Sequence, residues 1–407
     1  MEGMLPHGKN REAGRPLLFV GVTSPQTCMV LTGRLRRLRE AGFRVVLCCD
    51  EGDLLRETAT AEGVEALTVP MRREVALWAD LVALGRLTWV LRMLEPELAE
   101  FSTPKAGLLG MVAAVLAGVP RRIYVLRGLK LEGVKGWRRA VLLGCERVAA
   151  GCAQVVLCNG ESLREEALQL GIGNAEKLRV LGRGSGRGVN LERFRPGRAG
   201  EREAMRAELG IGAEELVVGF VGRLTGDKGI PELLDAFEMV RERVPGCRLV
   251  LVGWFDEAED RVDEAVKARV AAHAGIWHVG YVKDVERYYR GMDVLALPTH
   301  REGFPNVALE AAASGIPVVT TLATGARDAV VDGVTGVLVP VGDAAALAKA
   351  LGELLAEREI RLEMGEAARR WVEENFAEER VVGKAVELYR KMCWMQEEWA
   401  GDEPARG

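Results

Sequence analysis

The sequence predicts an α/β protein made of two doubly wound domains in tandem. Three observations carry that expectation. Short continuous apolar runs alternate with helical patterns, the alternation breaks once at a polar stretch, and it then restarts. Apolar runs of this kind between helices are strands covered on both faces, as in parallel sheets.

The first half opens with the strand "LLFVGVT" (17–23) and a basic helix, "TGRLRRLREAG". The strands "RVVLCCD" (44–50) and "VEALTVP" (64–70) follow, then a long helix over 75–94. Next come "ELAEFST" (97–103), an Ala/Leu/Gly helix at 106–119, and "RRIYVLR" (121–127). "QVVLCNG" (154–160) and "KLRVLGRG" (177–184) complete the half. A polar segment with Pro196 and several glycines reads as a linker at 196–215, after a first domain at 1–195. The second domain, 216–376, carries the strands "LVVGFVGRL" (216–224), "CRLVLVG" (247–253), "WHVGYV" (277–282), "DVLALPT" (293–299), "PVVTT" (317–321) and "GVLVP" (336–340). A last helical segment, 377–407 with Trp394 and Trp399, is expected to pack back on the first domain.

Composition narrows the classes. The 407 residues are 48% hydrophobic and 28% charged, with a net charge of -4, so nothing global favours nucleic acid as a partner. The eight cysteines are scattered without a CxxC pair, which reads as free thiols in a reducing compartment. Four histidines without metal-ligand spacing argue against a metal site. The polar N-terminus lacks a signal-peptide core, and the apolar stretch 106–119 falls short of the about 20 residues that span a bilayer. The expected location is cytoplasmic.

Two stretches carry chemistry. In "GFVGRLTGDKGIPELLDAF" (219–237), Gly222, Arg223, Gly226, Lys228 and Gly229 fall between a strand and a helix. That is the ligand edge of an open parallel sheet, and Arg and Lys there suit a phosphate. A solvated basic turn is an equal reading of this stretch alone. "REGFPNVALEAAASG" (301–315) sets Glu302 before a helix that Pro305 and Asn306 start, and Glu310 about one turn inside it. The amides around Gly303 to Val307 then form an anion site at a helix terminus, suited to a diphosphate. The two carboxylates should have different jobs, one on sugar hydroxyls and one on a ribose diol. An exposed loop charge and a surface helix residue remain the alternative.

The segments "VGRLTGDKGIPELLDAF", "PTHREGFPNVALEAAASGIPVVTT" and "DGVTGVLVP" resemble the signature segments of the family-4 retaining glycosyltransferases. The resemblance implies the GT-B fold, two Rossmann-like domains facing a central cleft. It implies a donor site in the second domain, where Arg223 and Lys228 bind the diphosphate of a nucleoside-diphosphate sugar, uridine being the expected base. Glu310 would hold the ribose and Glu302 the transferred sugar near its 3- or 4-hydroxyl. Gly222 and the stretch Gly303, Phe304, Pro305, Asn306 and Val307, through its backbone amides, would support phosphate and sugar. Tyr281 and Val282 in "GYVKD" would cradle the base. Many relatives carry a histidine facing the donor sugar after the "RRIYVL" strand; this chain has Arg127, which either takes that role or is a surface arginine.

The first domain would receive the acceptor, a glycan or a polyprenyl-diphosphate-linked sugar. Gly33, Thr103 and Lys105 are candidate acceptor contacts, with helix capping as an equal explanation. Three basic clusters lie in this domain: Arg34, Arg36, Arg37 and Arg39; Arg121 and Arg122; and Lys135, Arg138 and Arg139 beside Trp137. They are either solvated helix faces or a docking surface for anionic lipid. The overall expectation is a retaining hexosyltransferase of bacterial polysaccharide or lipopolysaccharide synthesis that needs no metal and no cofactor. A sugar-nucleotide 2-epimerase and a non-catalytic binding subunit share the architecture. The "EGFPNVALE" arrangement argues against the first, and the intact charged set against the second.

Overall fold

The computed structural model describes residues 14–71, 76–256 and 260–394; Trp399 lies outside them. The chain forms two compact units. The first runs to Arg187 and takes up the chain again at Glu379, and the second is Gly188–Glu378.

The first unit holds seven parallel strands: β1 (Leu17–Gly21), β2 (Arg44–Cys49), β3 (Glu65–Thr68), β4 (Leu98–Ser102), β5 (Arg121–Leu126), β6 (Val155–Cys158) and β7 (Leu178–Val180). Their order is β3-β2-β1-β4-β5-β6-β7. The second unit holds β8 (Val217–Val221), β9 (Arg248–Val252), β10 (Ile276–Gly280), β11 (Val294–Leu297), β12 (Val318–Thr321) and β13 (Gly336–Val339) in the order β10-β9-β8-β11-β12-β13. Each expected apolar run has become one of these strands. In each sheet the strand order reverses once, between β1 and β4 and between β8 and β11. Outside the carboxyl ends of those strands a crevice opens, and ligands of such sheets bind there.

Residue alternation along β4 shows how the first sheet is covered. Phe101 packs with Phe19 and Tyr124 under the helices Leu77–Leu94, Pro104–Leu116 and Gly136–Cys152. Leu98 faces the opposite side, with Leu35, Leu38, Leu388 and Tyr389 from the helices Arg34–Glu40 and Glu378–Trp394. The C-terminal helix therefore covers the first unit. Its Tyr389 hydroxyl and the Arg34 guanidinium both donate to Glu100, in the middle of β4.

Two features differ from the sequence reading. The stretch 196–215 is built into the second unit. Its helix Glu201–Glu208 is tied down by Arg206, only 2% exposed, which bonds Asp293 Oδ2 at 2.7 Å and the carbonyls of Gly291, Ala213 and Glu215. The first basic cluster is solvated except at Arg34: Arg36 and Arg39 are exposed and Arg37 is half-buried. Arg34 is buried on Glu100, Arg36 bonds Glu62, Arg37 bonds Glu379 and Arg39 bonds the Gly63 carbonyl. A mid-strand carboxylate at Glu100, fully buried, needs a cationic partner, and the first turn of that helix supplies it. All eight cysteines are free. Among the described residues, no helix is long and apolar enough to cross a membrane.

Candidate functional site

The second unit gathers its charged set where β8 and β11 end. β8 runs into Gly222 and Arg223, a short 3-10 turn (Gly226–Lys228), and the helix Ile230–Arg243. Gly229 between them has φ +70, and a Cβ there would stand 2.0 Å from the Pro298 carbonyl oxygen. Only glycine lets this turn close onto the segment leaving β11. That segment is held in return: the His300 amide donates to the Asp227 carbonyl at 2.8 Å, and the Thr299 hydroxyl donates to it at 3.1 Å.

This clasp sets Lys228 against Glu302, with Nζ 2.5 Å from Oε1. Their side chains are 14% and 19% exposed, so both reach solvent from a shielded position. Arg223 points Nη1 at Asp256 Oδ2, 2.7 Å away. The helix Asn306–Ala313 starts after Pro305, whose side chain gives its first turn no capping hydrogen bond. Glu302 lies before this helix and Glu310 inside it. Glu310 is buried, and the Tyr289 hydroxyl donates to its Oε2 at 3.0 Å. Phe304 turns into the core against Phe376, Gly303 is half-buried, and Val307 packs at the core edge. Tyr281 is exposed and lies edge-on to Trp254, ring centres 5.6 Å apart; Val282 is half-buried beside it. The arrangement offers two cations for a diphosphate, two carboxylates for hydroxyls and an aromatic pair for a base.

Three of these residues escaped the sequence reading. Trp254 was legible as an aromatic directly after the strand-ending glycine of "LVLVGWFD". Asp256 and Tyr289 gave no such signal, because their roles depend on which loop lies beside them.

In the first unit Thr103 and Lys105 follow the carboxyl end of β4 and Arg127 that of β5, while Gly33 stands at the start of the helix Arg34–Glu40. The Gly33 amide donates to Glu62 Oε2 at 2.9 Å, so it serves a helix start. Thr103 has φ +74, and its hydroxyl lies 2.6 Å from that of Thr23. Lys105 bonds Asp80 at 2.8 Å. Arg127, just after β5, is half-buried, and its Nε and Nη2 atoms are buried with no hydrogen-bond partner. Burial, and then the charge of Arg34, push its pKa down to about 10. Among the described residues, no cluster of three or more His, Cys, Asp or Glu could hold a metal ion.

Comparison with known proteins agrees with this architecture. Residues 201–371 match the family model of glycosyl transferases group 1, and residues 30–184 match that of the glycosyl transferase 4-like domain. The capsular polysaccharide biosynthesis glycosyltransferase CapM of Staphylococcus aureus is 32% identical, over 91% of this chain and 96% of its own. The putative glycosyltransferase EpsD of Bacillus subtilis is 26% identical, over 80% of this chain and 84% of its own. Among solved structures, Anabaena HepE in complex with UDP-glucose superposes with a TM-score of 0.77 at 20% identity, covering 93% of this chain and 100% of that one. The chain belongs to the family-4 glycosyltransferases of the GT-B fold, and it is a transferase enzyme.

Proposed function

We propose that this enzyme transfers a hexose or N-acetylhexosamine-type sugar, with retention, from a UDP-sugar to a glycan or polyprenyl-diphosphate-linked acceptor in polysaccharide synthesis. The observation that carries this reading is the Lys228–Glu302 pair beside Arg223 at the switch point of the second sheet. Breaking the bond between sugar and diphosphate builds positive charge on the sugar and negative charge on the phosphate. Lys228 and Arg223 are fixed cations for that phosphate, and preorganised charge of this kind is the largest available source of rate enhancement. Glu302 takes a hydroxyl of the transferred sugar, Glu310 the ribose diol, and Trp254 with Tyr281 the base. Two cations at the leaving group make a divalent ion unnecessary. Activity surviving EDTA is the expected result, and restoration by added magnesium of activity lost to EDTA would overturn it. The kinship with CapM supports polysaccharide synthesis, and retention rests on the family alone.

The direct experiment is a thermal-shift panel of UDP, GDP, ADP and their sugar conjugates on wild type and Glu310→Ala. A ligand at about 100 times its Kd adds roughly 2.7 kcal/mol of stability. A shift with uridine ligands alone, lost in the variant, is expected; a shift with another base, or one that survives in the variant, would revise the donor or the role of Glu310.

The same reading places the enzyme at the cytoplasmic face of a membrane. The helix Leu77–Leu94 exposes Leu77, Trp78, Trp89 and Met93, and the helix Gly136–Cys152 exposes Trp137 and Val141. The helix Pro104–Leu116 packs against both. Arg86, Arg92, Lys135 and Arg138 are exposed around them. An apolar face ringed by cations suits an anionic lipid surface.

A further inference from the structure

One face of the first sheet holds more positive charge than the carboxylate on that face neutralises. On the sheet face beneath the C-terminal helix lie two guanidiniums, Arg34 and Arg127, and one carboxylate, Glu100. Arg34 takes that carboxylate end-on with both Nη atoms, at 2.9 and 2.6 Å, and the Tyr389 hydroxyl also donates to it. Tyr389 stays neutral, because burial raises its pKa well above 10. Glu100 is therefore fully used, and Arg127 is left without an acid.

The two orphaned atoms of Arg127 are Nε and Nη2. Together they form the side-on edge of a guanidinium, whose two parallel N–H groups match the two oxygens of a carboxylate or phosphoryl group. Ser102, on the same sheet face at the end of β4, is 1% exposed, and its Oγ also has no partner. Gly186 closes the other side. A Cβ there would lie 2.9 Å from Arg127 Nη1 and 3.5 Å from Asn159 Oδ1. A buried cation without a counter-charge is costly, and the cost falls when an anion arrives.

We propose that the Nε–Nη2 edge of Arg127, with Ser102 and Asn159 beside it, is an oxyanion subsite that receives the carboxylate or phosphoryl group of an acidic sugar substrate. This deepens the transferase reading by assigning the substrate class, and it gives an arginine at this position a task that a neutral residue could not perform. Gly186 leaves room for the Nη1 end of the guanidinium, which a Cβ there would displace.

The test uses the full chain with saturating UDP, so that anions are not read at the donor phosphate site. Melting temperature is titrated with glucuronate, inorganic phosphate and, as the neutral control, glucose. A saturable rise with glucuronate assigns a carboxylate and a rise with phosphate assigns a phosphoryl group; glucose should give none. Arg127→Met should weaken the apparent Kd by at least about tenfold. Its melting temperature without ligand should equal or exceed that of wild type, since an unpaired buried charge is gone. Gly186→Ala keeps the charge and should weaken anion binding as well, which covers the case of an unstable Arg127 variant. Equal anion responses in wild type and both variants, or no response of wild type to either anion, would overturn the proposal. An anion response in a chain that shows no UDP shift would instead leave the subsite standing and overturn the proposed UDP donor site.

Discussion

Lys228 and Glu302, 74 positions apart in the chain, meet at 2.5 Å at the carboxyl edge of the second sheet. The pair is self-neutralising, and under the proposed function the diphosphate would compete with Glu302 for the same ammonium. The two halves should then respond oppositely to substitution. Lys228→Ala should weaken UDP binding about tenfold or more through loss of a charge-assisted contact. Glu302→Gln removes the competitor, so UDP should bind as well as before or more tightly while turnover falls at least about tenfold. Calorimetric UDP titrations and initial rates on both variants separate the effects. If Glu302→Gln weakens UDP as much as Lys228→Ala does, the pair is a structural clasp.

A second prediction concerns Asp293, which immediately precedes β11. Its Oδ1 bonds Arg202 at 2.7 Å, and its Oδ2 bonds Arg206 at 2.7 Å and the Val217 amide at 2.8 Å. Removing the carboxylate strands the buried Arg206 and unties the helix Glu201–Glu208 from the sheet. Asp293→Ala should cost about 3–5 kcal/mol. Urea unfolding measures it, and a loss below about 1 kcal/mol would mean that the carbonyls around Arg206 suffice without the acid.

These two sites mark what was legible in the chain. Every strand could be read, because an apolar run in a parallel sheet is a local property of the sequence. The Gly222–Lys228 turn and the Glu302–Glu310 spacing were legible too, since strand ends and helix starts fix where such residues fall. Partnerships were not. Arg34 looked like one of four equivalent arginines on a basic helix, and the carboxylate that buries it lies 66 positions away. Asp293 gave no hint that it anchors the stretch read as a linker. Helical periodicity says which face a residue takes, but a buried charge is decided by what the next element brings to that face.

Glu146 supplies a prediction about pH. It lies on the helix Gly136–Cys152, 5% exposed, with the Tyr124 hydroxyl donating to Oε2 at 2.6 Å. Burial pushes its carboxyl up to about 7 from the ordinary 4.5, against the opposing effect of the Tyr124 hydrogen bond. The folded state therefore holds a proton that the unfolded chain releases. Stability from this group is fully present below about pH 4.5 and is lost as pH rises through about 7. The loss is on the order of 3 kcal/mol. Glu146→Gln imitates the protonated form at every pH. The variant should match wild type near pH 4 and exceed it in melting temperature by a margin that grows from about pH 4.5 to a plateau above pH 7. A margin independent of pH would mean that the carboxyl titrates normally in the fold.

The membrane reading makes the last prediction, and it separates charge from apolar contact. The third basic cluster, Lys135 and Arg138 with Trp137, stands exposed beside an apolar face; in the first, Arg34 is buried on Glu100 and the others bond surface neighbours. Arg138 lies over the Trp137 ring at 5.7 Å, and Trp78 and Trp137 are 82% and 73% exposed. Each basic residue near an anionic surface contributes about 1 kcal/mol, and the tryptophans add burial at the lipid interface. In flotation assays, wild type should rise with phosphatidylglycerol vesicles, less with pure phosphatidylcholine, and less again at high salt. Trp78→Asp combined with Trp137→Asp should abolish flotation with both lipids while leaving the UDP thermal shift intact, because both residues belong to the first unit and the proposed donor residues to the second. Unchanged flotation of that double variant would assign the apolar face to something other than lipid. Equal recovery of wild type on the two lipids would remove the charge from the argument.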